Sequence, residues 1–194
     1  MTMLKSKLLT NKMAELAKGK TILDIGGANR FQKSMAQFKE LFANTDYISC
    51  DIDASKKPDV ICDAHQLLFK NGEFDGVICI AVLEHVKDPF KVVSEMRRVL
   101  KEGGKAIIYV PFVHPYHGAA SCGDYWRFTN EGIRQLFKDF TSVEIEQDGG
   151  LFTAFAVFTR QQWLNTLWSV IDKLVLKFNI GRTSTKGYFV YVIK

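Results

Sequence analysis

Proline and cysteine are both scarce in this sequence: each occurs four times among 194 residues. Few prolines leave room for long regular helices and strands. The cysteines stand singly at Cys50, Cys62, Cys79 and Cys122, without the paired spacing of a zinc site or a disulfide framework. We therefore expect reduced thiols that pack as small hydrophobic side chains, no metal site and a cytoplasmic protein.

Long hydrophobic runs and massed charge are also absent from the sequence. Residues 1–20 place lysines among apolar residues at helical spacing, which predicts a helix and lacks the apolar core of a signal peptide. The formal charge of +5 comes from scattered lysines and arginines. This pattern indicates a solvated basic surface, so we expect no nucleic acid partner. A composition of 47% hydrophobic and 24% charged residues is typical of a globular protein, and we predict one domain over residues 1–194.

Short apolar runs alternate with longer amphipathic stretches in the first half of the chain. The predicted strands cover 21–25, 47–52, 59–62, 76–80 and 105–110, and the predicted helices cover 32–43 and 89–100. Asp88 is a suitable cap for the second helix, and Gly103 and Gly104 are suitable residues to end it. This alternation is typical of a parallel sheet covered by helices on both faces.

The second half follows a different pattern. Residues 111–128 show no periodicity and are rich in His, Gly, Tyr and Trp, as expected for a functional loop. Thr129 is predicted to cap a helix reaching about residue 140, and strands are predicted at 142–147 and 186–193.

A helical insertion is predicted between these last two strands, at about 152–178. Its apolar stripe consists of Leu164, Leu167, Trp168, Ile171, Leu174, Val175 and Phe178. Asp172 lies off the stripe and argues against a membrane span. We expect the helix to pack on the sheet, to form a homodimer contact or to contact a membrane surface.

A glycine-rich turn follows the first predicted strand, with the sequence DIGGANR at 24–30. Glycines there let the backbone approach a ligand closely. A dinucleotide-binding motif would have glycine where this chain has Ala28 and Phe31, and no phosphate-binding GK[ST] loop is present in the sequence. The turn therefore favours a nucleotide ligand without phosphate.

Acidic residues end three successive predicted strands: Asp24, Asp51 and Asp63. Parallel strands present their carboxyl ends at one edge of a sheet, where open α/β sheets bind ligands. Asp51 is placed to accept hydrogen bonds from ribose hydroxyls, and Asp63 from an adenine amine. Each of these residues could alternatively serve as a helix cap or a solvated turn residue.

Five segments, in this order between residues 20 and 110, resemble the motifs of class I S-adenosylmethionine-dependent methyltransferases: ILDIGGA, SCDID, CDAH, EFDGVICIAVLEHV and LKEGGK. The resemblance implies an α/β fold with a doubly wound, mostly parallel seven-stranded sheet of order 3-2-1-4-5-7-6, the last strand antiparallel. It implies S-adenosylmethionine as cofactor, bound by residues 20–110, with 111–194 forming the acceptor side. The implied cofactor contacts are Asp24, Gly26, Gly27, Ala28, Asp51, Ile52, Asp63, Ala64 and Ile80. The chain departs from the family at Ala28 and Arg30, where the family has glycine.

The loop at 111–128 leaves the predicted sheet where a methyl acceptor would lie. We predict His117, His114 or Asp124 as the general base, which a hydroxyl acceptor requires at neutral pH. The predicted acceptor-binding residues are His85, Tyr125, Trp126 and Arg127. Structural roles in covering the core and in ion pairing stay open for the aromatic residues and for Arg127.

The segment DYWRFT at 124–129 is similar to one in methyltransferases of glycan and lipid-linked saccharide assembly. It suggests O-methylation of a saccharide in polysaccharide biosynthesis. Two other functions stay open: a non-catalytic adenosine-cofactor-binding module that acts through the insertion helix, and a dinucleotide-dependent oxidoreductase.

Overall fold

The computed structural model describes residues 7–31, 33–118, 122–158, 165–176 and 184–194. Seven strands form one sheet: β1 (Thr21–Ile25), β2 (Asp46–Asp51), β3 (Val60–Ile61), β4 (Phe74–Ile80), β5 (Leu100–Pro111), β6 (Ser142–Gln147) and β7 (Gly187–Ile193). The helices are α1 (Lys7–Leu16), α2 (Pro89–Val99), α3 (Asn130–Leu136), α4 (Leu151–Phe158) and α5 (Asn165–Leu176). Three 3₁₀ helices cover Lys33–Phe42, Ala54–Lys56 and Leu83–His85.

The strand order is β3-β2-β1-β4-β5-β7-β6. Strands β1 to β5 pair in parallel, whereas β7 lies between β5 and β6 and runs antiparallel to both. The predicted order and the antiparallel last strand are confirmed. Because the first four strands are parallel, their carboxyl ends lie along one edge of the sheet.

Side chains alternate between the two faces of the central strands, as the strand geometry requires. On one face, Val77 of β4 belongs to a buried cluster with Met96 of α2 and Ile133 of α3. On the other face, Ile78 belongs to a second cluster with Met13 of α1. The sheet is therefore covered on both faces, which explains why its central strands are hydrophobic at almost every position.

The junction between α2 and β5 differs from the prediction. Gly103 and Gly104 do not end α2, because β5 begins directly at Leu100. Phe74 of β4 pairs with Leu100, and the following pair along β5 involves Lys105, so residues 101–104 form an irregularity within the strand. Gly103 adopts a φ of +73° there. The glycines thus permit a bulge rather than a helix stop. Asp88 caps α2 as predicted, by accepting a hydrogen bond from the Lys91 amide.

Two other helices differ in type or length from the prediction. The segment predicted as a helix over 32–43 is a 3₁₀ helix over Lys33–Phe42. Thr129 caps α3 as predicted, but α3 ends at Leu136 rather than near residue 140. Phe137 and Phe140 are both buried after this end, so packing of the two rings takes the chain out of the helix towards β6.

The described part of the insertion contains two helices, α4 and α5, which pack against each other, so the prediction of one helix over 152–178 is wrong. Phe152 and Trp168 stack between them, with ring centroids 5.8 Å apart. Asp172, placed on the polar face by the sequence, is buried. Leu164 and Phe178 of the predicted stripe lie outside the described residues. None of the described helices has the length and apolar character needed to cross a bilayer.

The expectation of four single thiols is also wrong. Cys50 and Cys62 form a disulfide, with their Cα atoms 5.8 Å apart. The ends of β2 and β3 lie side by side, because Cys50 is in register with Val60 and the Cys62 amide donates to the Asp51 carbonyl. Sequence spacing does not show such lateral neighbours. Cys79 and Cys122 are free.

Candidate cofactor and acceptor site

A cavity of about 590 Å³ lies at the carboxyl ends of β1 to β4. Five residues predicted to bind the cofactor line it: Gly26, Asp51, Ile52, Asp63 and Ala64. They come from three separate strand ends and meet because those strands are parallel neighbours. Cavities of this size commonly enclose a nucleoside-sized ligand.

The floor of the cavity combines a buried acid with an exposed apolar side chain. Asp51 is 5% exposed, and its Oδ1 accepts a hydrogen bond from the Asp53 amide at 2.9 Å. Lys56 places its Nζ 3.4 Å from Asp51 Oδ2. The neighbouring Ile52 is 61% exposed. This pairing offers a charged acceptor for hydroxyls beside an apolar surface on which a flat ring can pack.

Asp63 also lines the cavity, just after the end of β3, the strand beside β2. Its Oδ1 accepts from the His65 amide at 2.9 Å and contacts Nδ1 of the same histidine at 2.7 Å. The backbone hydrogen bond from His65 holds the pKa of Asp63 below its usual range. Asp63 is therefore a fixed, ionised acceptor at neutral pH.

Position 26 requires glycine because the backbone after β1 passes very close to a residue after β4. The φ of Gly26 is +73°, and a Cβ atom there would collide with Cγ2 of Val82, which follows β4. Ala28 and Arg30, at the positions where the family has glycine, also adopt the left-handed conformation, with φ of 48° and 45°. Such a backbone costs a residue with a side chain roughly 1–2 kcal/mol.

An ion pair that the sequence analysis missed holds Arg30 in this conformation. Its Nε and Nη2 donate to the two carboxylate oxygens of Asp59 at 2.6 and 2.8 Å. Asp59 also accepts hydrogen bonds from the amide and the hydroxyl of Ser49 in β2. Arg30 and Asp59 are 29 residues apart, so only the paired strands reveal the contact.

Four predicted cofactor residues lie outside the lining of the cavity, on the described part of the chain: Asp24, Gly27, Ala28 and Ile80. Asp24 is buried behind the glycine turn and accepts a hydrogen bond from the Tyr47 hydroxyl at 2.6 Å. Burial raises the pKa of Asp24 to about 7. A Cβ atom at Gly27 would collide with this carboxyl group, so the turn and Asp24 pack directly on each other.

The acceptor loop, residues 111–128, is described except at 119–121, and its second described part contacts the 3₁₀ helix Leu83–His85. The carbonyl of Glu84 accepts hydrogen bonds from the amides of Tyr125 and Trp126, at 2.7 and 3.3 Å. The Trp126 indole donates to the Val86 carbonyl at 2.9 Å. Tyr125 and His85 line the cavity. The loop therefore forms the wall of the cavity beyond β4.

Arg127 holds this loop together. Its guanidinium donates to both carboxylate oxygens of Asp124 and to the carbonyls of His114, Pro115 and Trp126. An arginine side chain has five N–H donors, and five bonds to the loop use them. The Arg127 guanidinium also holds the pKa of Asp124 well below its usual range. Acceptor binding by Arg127 stays a prediction, and it would require one of these bonds to break.

Three histidines cluster where the acceptor loop, which contains His114 and His117, contacts the 3₁₀ helix Leu83–His85. The ring centroids of His85 and His117 are 4.9 Å apart, and those of His114 and His117 are 4.5 Å apart. Burial lowers the pKa of His114, whereas the carboxylate of Glu84 raises the pKa of His117. His114 is thus the predicted base that is held in its neutral, proton-accepting form. The structure brings His114, His117 and Asp124 together, and their catalytic role stays a prediction.

Glu84 is the residue of this cluster that the sequence analysis missed. Its carboxyl group is 1% exposed, and its Oε1 lies 3.7 Å from His117 Nε2 and 3.9 Å from His85 Nε2. The sequence feature that could have identified Glu84 is its position as an acidic residue next to His85 in an otherwise apolar segment. Its burial depends on the turn after β4, which the sequence alone does not define.

Comparison with known protein families gives one match, over 96 of the 194 residues of this chain. The model of a methyltransferase domain family matches residues 13–108, which include the end of α1 and the strand ends that line the cavity. The match ends within β5, before the acceptor loop.

Curated relatives resemble about half of this chain. A tRNA (carboxymethyluridine(34)-5-O)-methyltransferase of Xenopus tropicalis is 33% identical over 111 residues, which are 50% of this chain and 16% of that protein. A ubiquinone biosynthesis O-methyltransferase of Pseudomonas paraeruginosa is 30% identical over 101 residues, covering 46% of this chain and 44% of that protein. The chain thus spans less than half the length of these two relatives.

Solved structures share the fold over nearly the whole chain. A SAM-dependent methyltransferase from Archaeoglobus fulgidus aligns over 96% of this chain and 91% of its own, with a TM-score of 0.64 and 19% identity. A Burkholderia thailandensis 1,6-didemethyltoxoflavin-N1-methyltransferase, solved with 1,6-didemethyltoxoflavin and S-adenosylhomocysteine, aligns over 98% of this chain and 79% of its own, with a TM-score of 0.60 and 14% identity.

Proposed function

We propose that this chain, which belongs to the class I S-adenosylmethionine-dependent methyltransferases, transfers the cofactor's methyl group to a hydroxyl of a small acceptor. The observation that supports this most directly is the cavity of about 590 Å³, which has strand-end acids on one side and the histidine-rich acceptor loop on the other. One cavity thus offers both a nucleoside site and an acceptor wall.

The residues present fit the adenosine part of the cofactor. Asp51 would accept hydrogen bonds from the ribose hydroxyls, Ile52 would pack on the adenine ring, and Asp63 would accept from the adenine amine. The cavity lining combines three carboxylates and two lysines with apolar groups, and the carboxylates at the strand ends suit the hydroxyls and the amine of a nucleoside. These assignments are proposals for individual residues.

S-adenosylmethionine supplies a methyl group on a positively charged sulfur, which an acceptor oxygen can displace in line. The chain's main contribution is then to align the acceptor and to exclude water. Tyr125 would pack against the acceptor, and His114 would take the proton of its hydroxyl. Arg127 would act as a positioning residue, because it donates to the carbonyl of His114. Asp124, another candidate base, would in addition position His117, whose amide donates to it.

Oxygen is the favoured acceptor atom because the two curated relatives described above carry O-methyltransferase names. Those names concern tRNA and ubiquinone biosynthesis, and neither mentions a sugar. Saccharide O-methylation therefore rests on the DYWRFT segment alone. Saccharides, phenols and RNA each form one arm of the acceptor screen.

Calorimetric titration with S-adenosylmethionine, S-adenosylhomocysteine and NAD, followed by a methyl-transfer screen with labelled cofactor, tests the proposal. We expect binding of the two adenosyl ligands, no binding of NAD and transfer to at least one hydroxyl compound. Binding of NAD instead would support the oxidoreductase alternative. Adenosyl binding without transfer in any arm would support the non-catalytic binding module.

A further inference from the structure

We propose that Glu84, His85 and His117 form a binding site for one divalent transition-metal ion at the edge of the cofactor cavity. A carboxylate oxygen of Glu84 and one ring nitrogen from each histidine all lie within 4.8 Å of one another. The three residues come from the turn after β4 and from the acceptor loop, so the site joins the two halves of the candidate active site.

The first supporting observation is a buried carboxylate oxygen without a donor. Glu84 is 1% exposed, and among the residues that the structure describes its Oε2 has no hydrogen-bond partner. Buried carboxylates in proteins are normally paired or bound to a metal, because an unsatisfied one loses its hydration without compensation. The other carboxylate oxygen, Oε1, faces the two histidine Nε2 atoms at 3.7 and 3.9 Å.

The second, independent observation is the orientation of the two histidine rings. His85 Nδ1 contacts the Gly123 carbonyl, and His117 Nδ1 lies 3.1 Å from the Pro115 carbonyl. A carbonyl can only accept, so each Nδ1 carries a proton and each Nε2 is free to present its lone pair towards Glu84. Histidines that bind metals are usually held by such a hydrogen bond from the other ring nitrogen.

The distances fit one ion after a small adjustment. Ligands about 2.1 Å from a tetrahedral ion lie about 3.4 Å from each other. The Glu84 carboxylate oxygen lies 3.7 and 3.9 Å from the two histidine nitrogens, within about half an ångström of this spacing. The two nitrogens lie within 4.8 Å of each other and would have to move closer together around the ion. Two imidazoles and one carboxylate suit zinc or iron(II) better than magnesium or calcium. The expectation of no metal site was based on the spacing of the cysteines, and none of the three proposed ligands is a cysteine.

Three protein ligands leave at least one coordination position open. His85 also lines the cofactor cavity, and its side chain is 18% exposed. An acceptor oxygen could therefore occupy the open position, where the ion would make its hydroxyl more acidic. This last step rests on the proposed methyl transfer, whereas the metal site itself does not.

Metal binding is measured on the full chain after dialysis against a chelator, with Zn²⁺ by calorimetry and Co²⁺ by visible absorption. We expect one equivalent of each ion per chain. His85→Ala and His117→Ala should each weaken Zn²⁺ binding by at least about tenfold. His114→Ala is the matched control: it removes a neighbouring loop histidine outside the ligand set, and it should leave Zn²⁺ affinity unchanged. Glu84→Gln, which keeps the shape of the side chain, should also weaken binding.

Circular dichroism of each variant separates loss of the ligand from loss of the fold, and the partly exposed His117 provides a test even if Glu84→Gln does not fold. Absence of Zn²⁺ and Co²⁺ uptake by the wild type would overturn the proposal, because Glu84 and protonated His117 would then form a simple ion pair. Equal weakening by His114→Ala and His117→Ala would overturn it too. Titration of the same preparations with S-adenosylmethionine keeps the two proposals separate, since cofactor binding without metal uptake contradicts only the metal site.

Discussion

Asp172 in α5 accepts a hydrogen bond on Oδ2 from the Gly150 amide, at 2.9 Å, across 22 residues of sequence. The same carboxylate accepts from the amides of Phe152 and Thr153, at 2.8 and 3.1 Å. These amides form the start of α4, where backbone donors have no partner within the helix. A side chain of one helix therefore caps the other.

Replacing Asp172 by Asn should destabilise the protein by roughly 1–3 kcal/mol, because the start of α4 loses a charged acceptor for three amides. Denaturation in urea measures this change, and Asp139→Asn, at an exposed position, serves as the control. Affinity for S-adenosylmethionine should stay the same in both variants. Equal free energies of unfolding for Asp172→Asn and wild type would show that the cap does not contribute.

Replacing Asp51 by Ala should weaken S-adenosylmethionine binding by about 1–3 kcal/mol, since ribose hydroxyls would lose a charged acceptor. Calorimetry on the folded variant provides the measurement. Asp46→Ala, at the opposite end of β2, removes a similar charge far from the cavity and should bind the cofactor normally. An unchanged dissociation constant in Asp51→Ala would remove this residue from the site.

His114→Ala, His117→Ala and Asp124→Asn test the base in the acceptor loop. A general base contributes roughly 10²- to 10⁴-fold to turnover, so at least one variant should lose that much while it binds the cofactor nearly normally. Tyr116→Phe, at a side chain that is 78% exposed in the same loop, is the control. A loss of turnover of less than about threefold in all three variants would be far smaller than a general base contributes. Catalysis would then depend on alignment of the acceptor with the cofactor rather than on a base.

Arg127→Lys should act through the loop rather than through proton transfer. Lysine cannot reproduce the paired bonds to Asp124 or reach the three carbonyls together. We expect a destabilisation of about 1–3 kcal/mol and a higher KM for the acceptor, without a change in the pH profile of kcat. Arg134→Lys, on the exposed surface of α3, should change neither quantity. A shifted pH profile in Arg127→Lys would contradict a purely positioning role.

Asp24 should make stability depend on pH. Its pKa is about 7 in the folded chain and 3.8 ordinarily, so folding favours the protonated form. This contribution is complete below pH 3.8 and is lost as the pH rises through 7. Between these limits the free energy of unfolding of wild type should fall by roughly 4 kcal/mol relative to Asp24→Asn, because one pKa unit corresponds to about 1.4 kcal/mol. Urea denaturation at several pH values measures the difference. Parallel pH curves for the two proteins would show that Asp24 does not titrate in this range.

The sequence predicted the parts of the molecule that depend on local pattern. The alternation of strand and helix placed Asp51 and Asp63 at strand ends, and those ends meet in the structure. The strand order came from the family resemblance, because period and composition do not determine which strands are neighbours.

The missed features all depend on neighbours that are distant in sequence. Cys50 and Cys62 pair because β2 and β3 lie side by side, and Arg30 finds Asp59 in the same way. Trp168 and Asp172 both lie in α5 and both contact α4. The helical periodicity of the sequence did not show that α4 and α5 are separate helices, so these contacts were missed. Burial of Glu84 results from the acceptor loop closing over the turn after β4. None of these contacts leaves a periodic signal.

The position of β7 constrains the order in which the chain can fold during synthesis. Strand β6 lies at the sheet edge and has β7 as its neighbour, although residues 148–186 separate the two in sequence. Strands β1 to β5 can pair as soon as they leave the ribosome, whereas β6 must wait, without a partner, until residues 187–193 have emerged. Non-local pairing of this kind is slow and leaves an open strand edge exposed. The nucleotide half can therefore form on the ribosome before the acceptor half, and a stalled nascent chain would display the edge of β5 to chaperones.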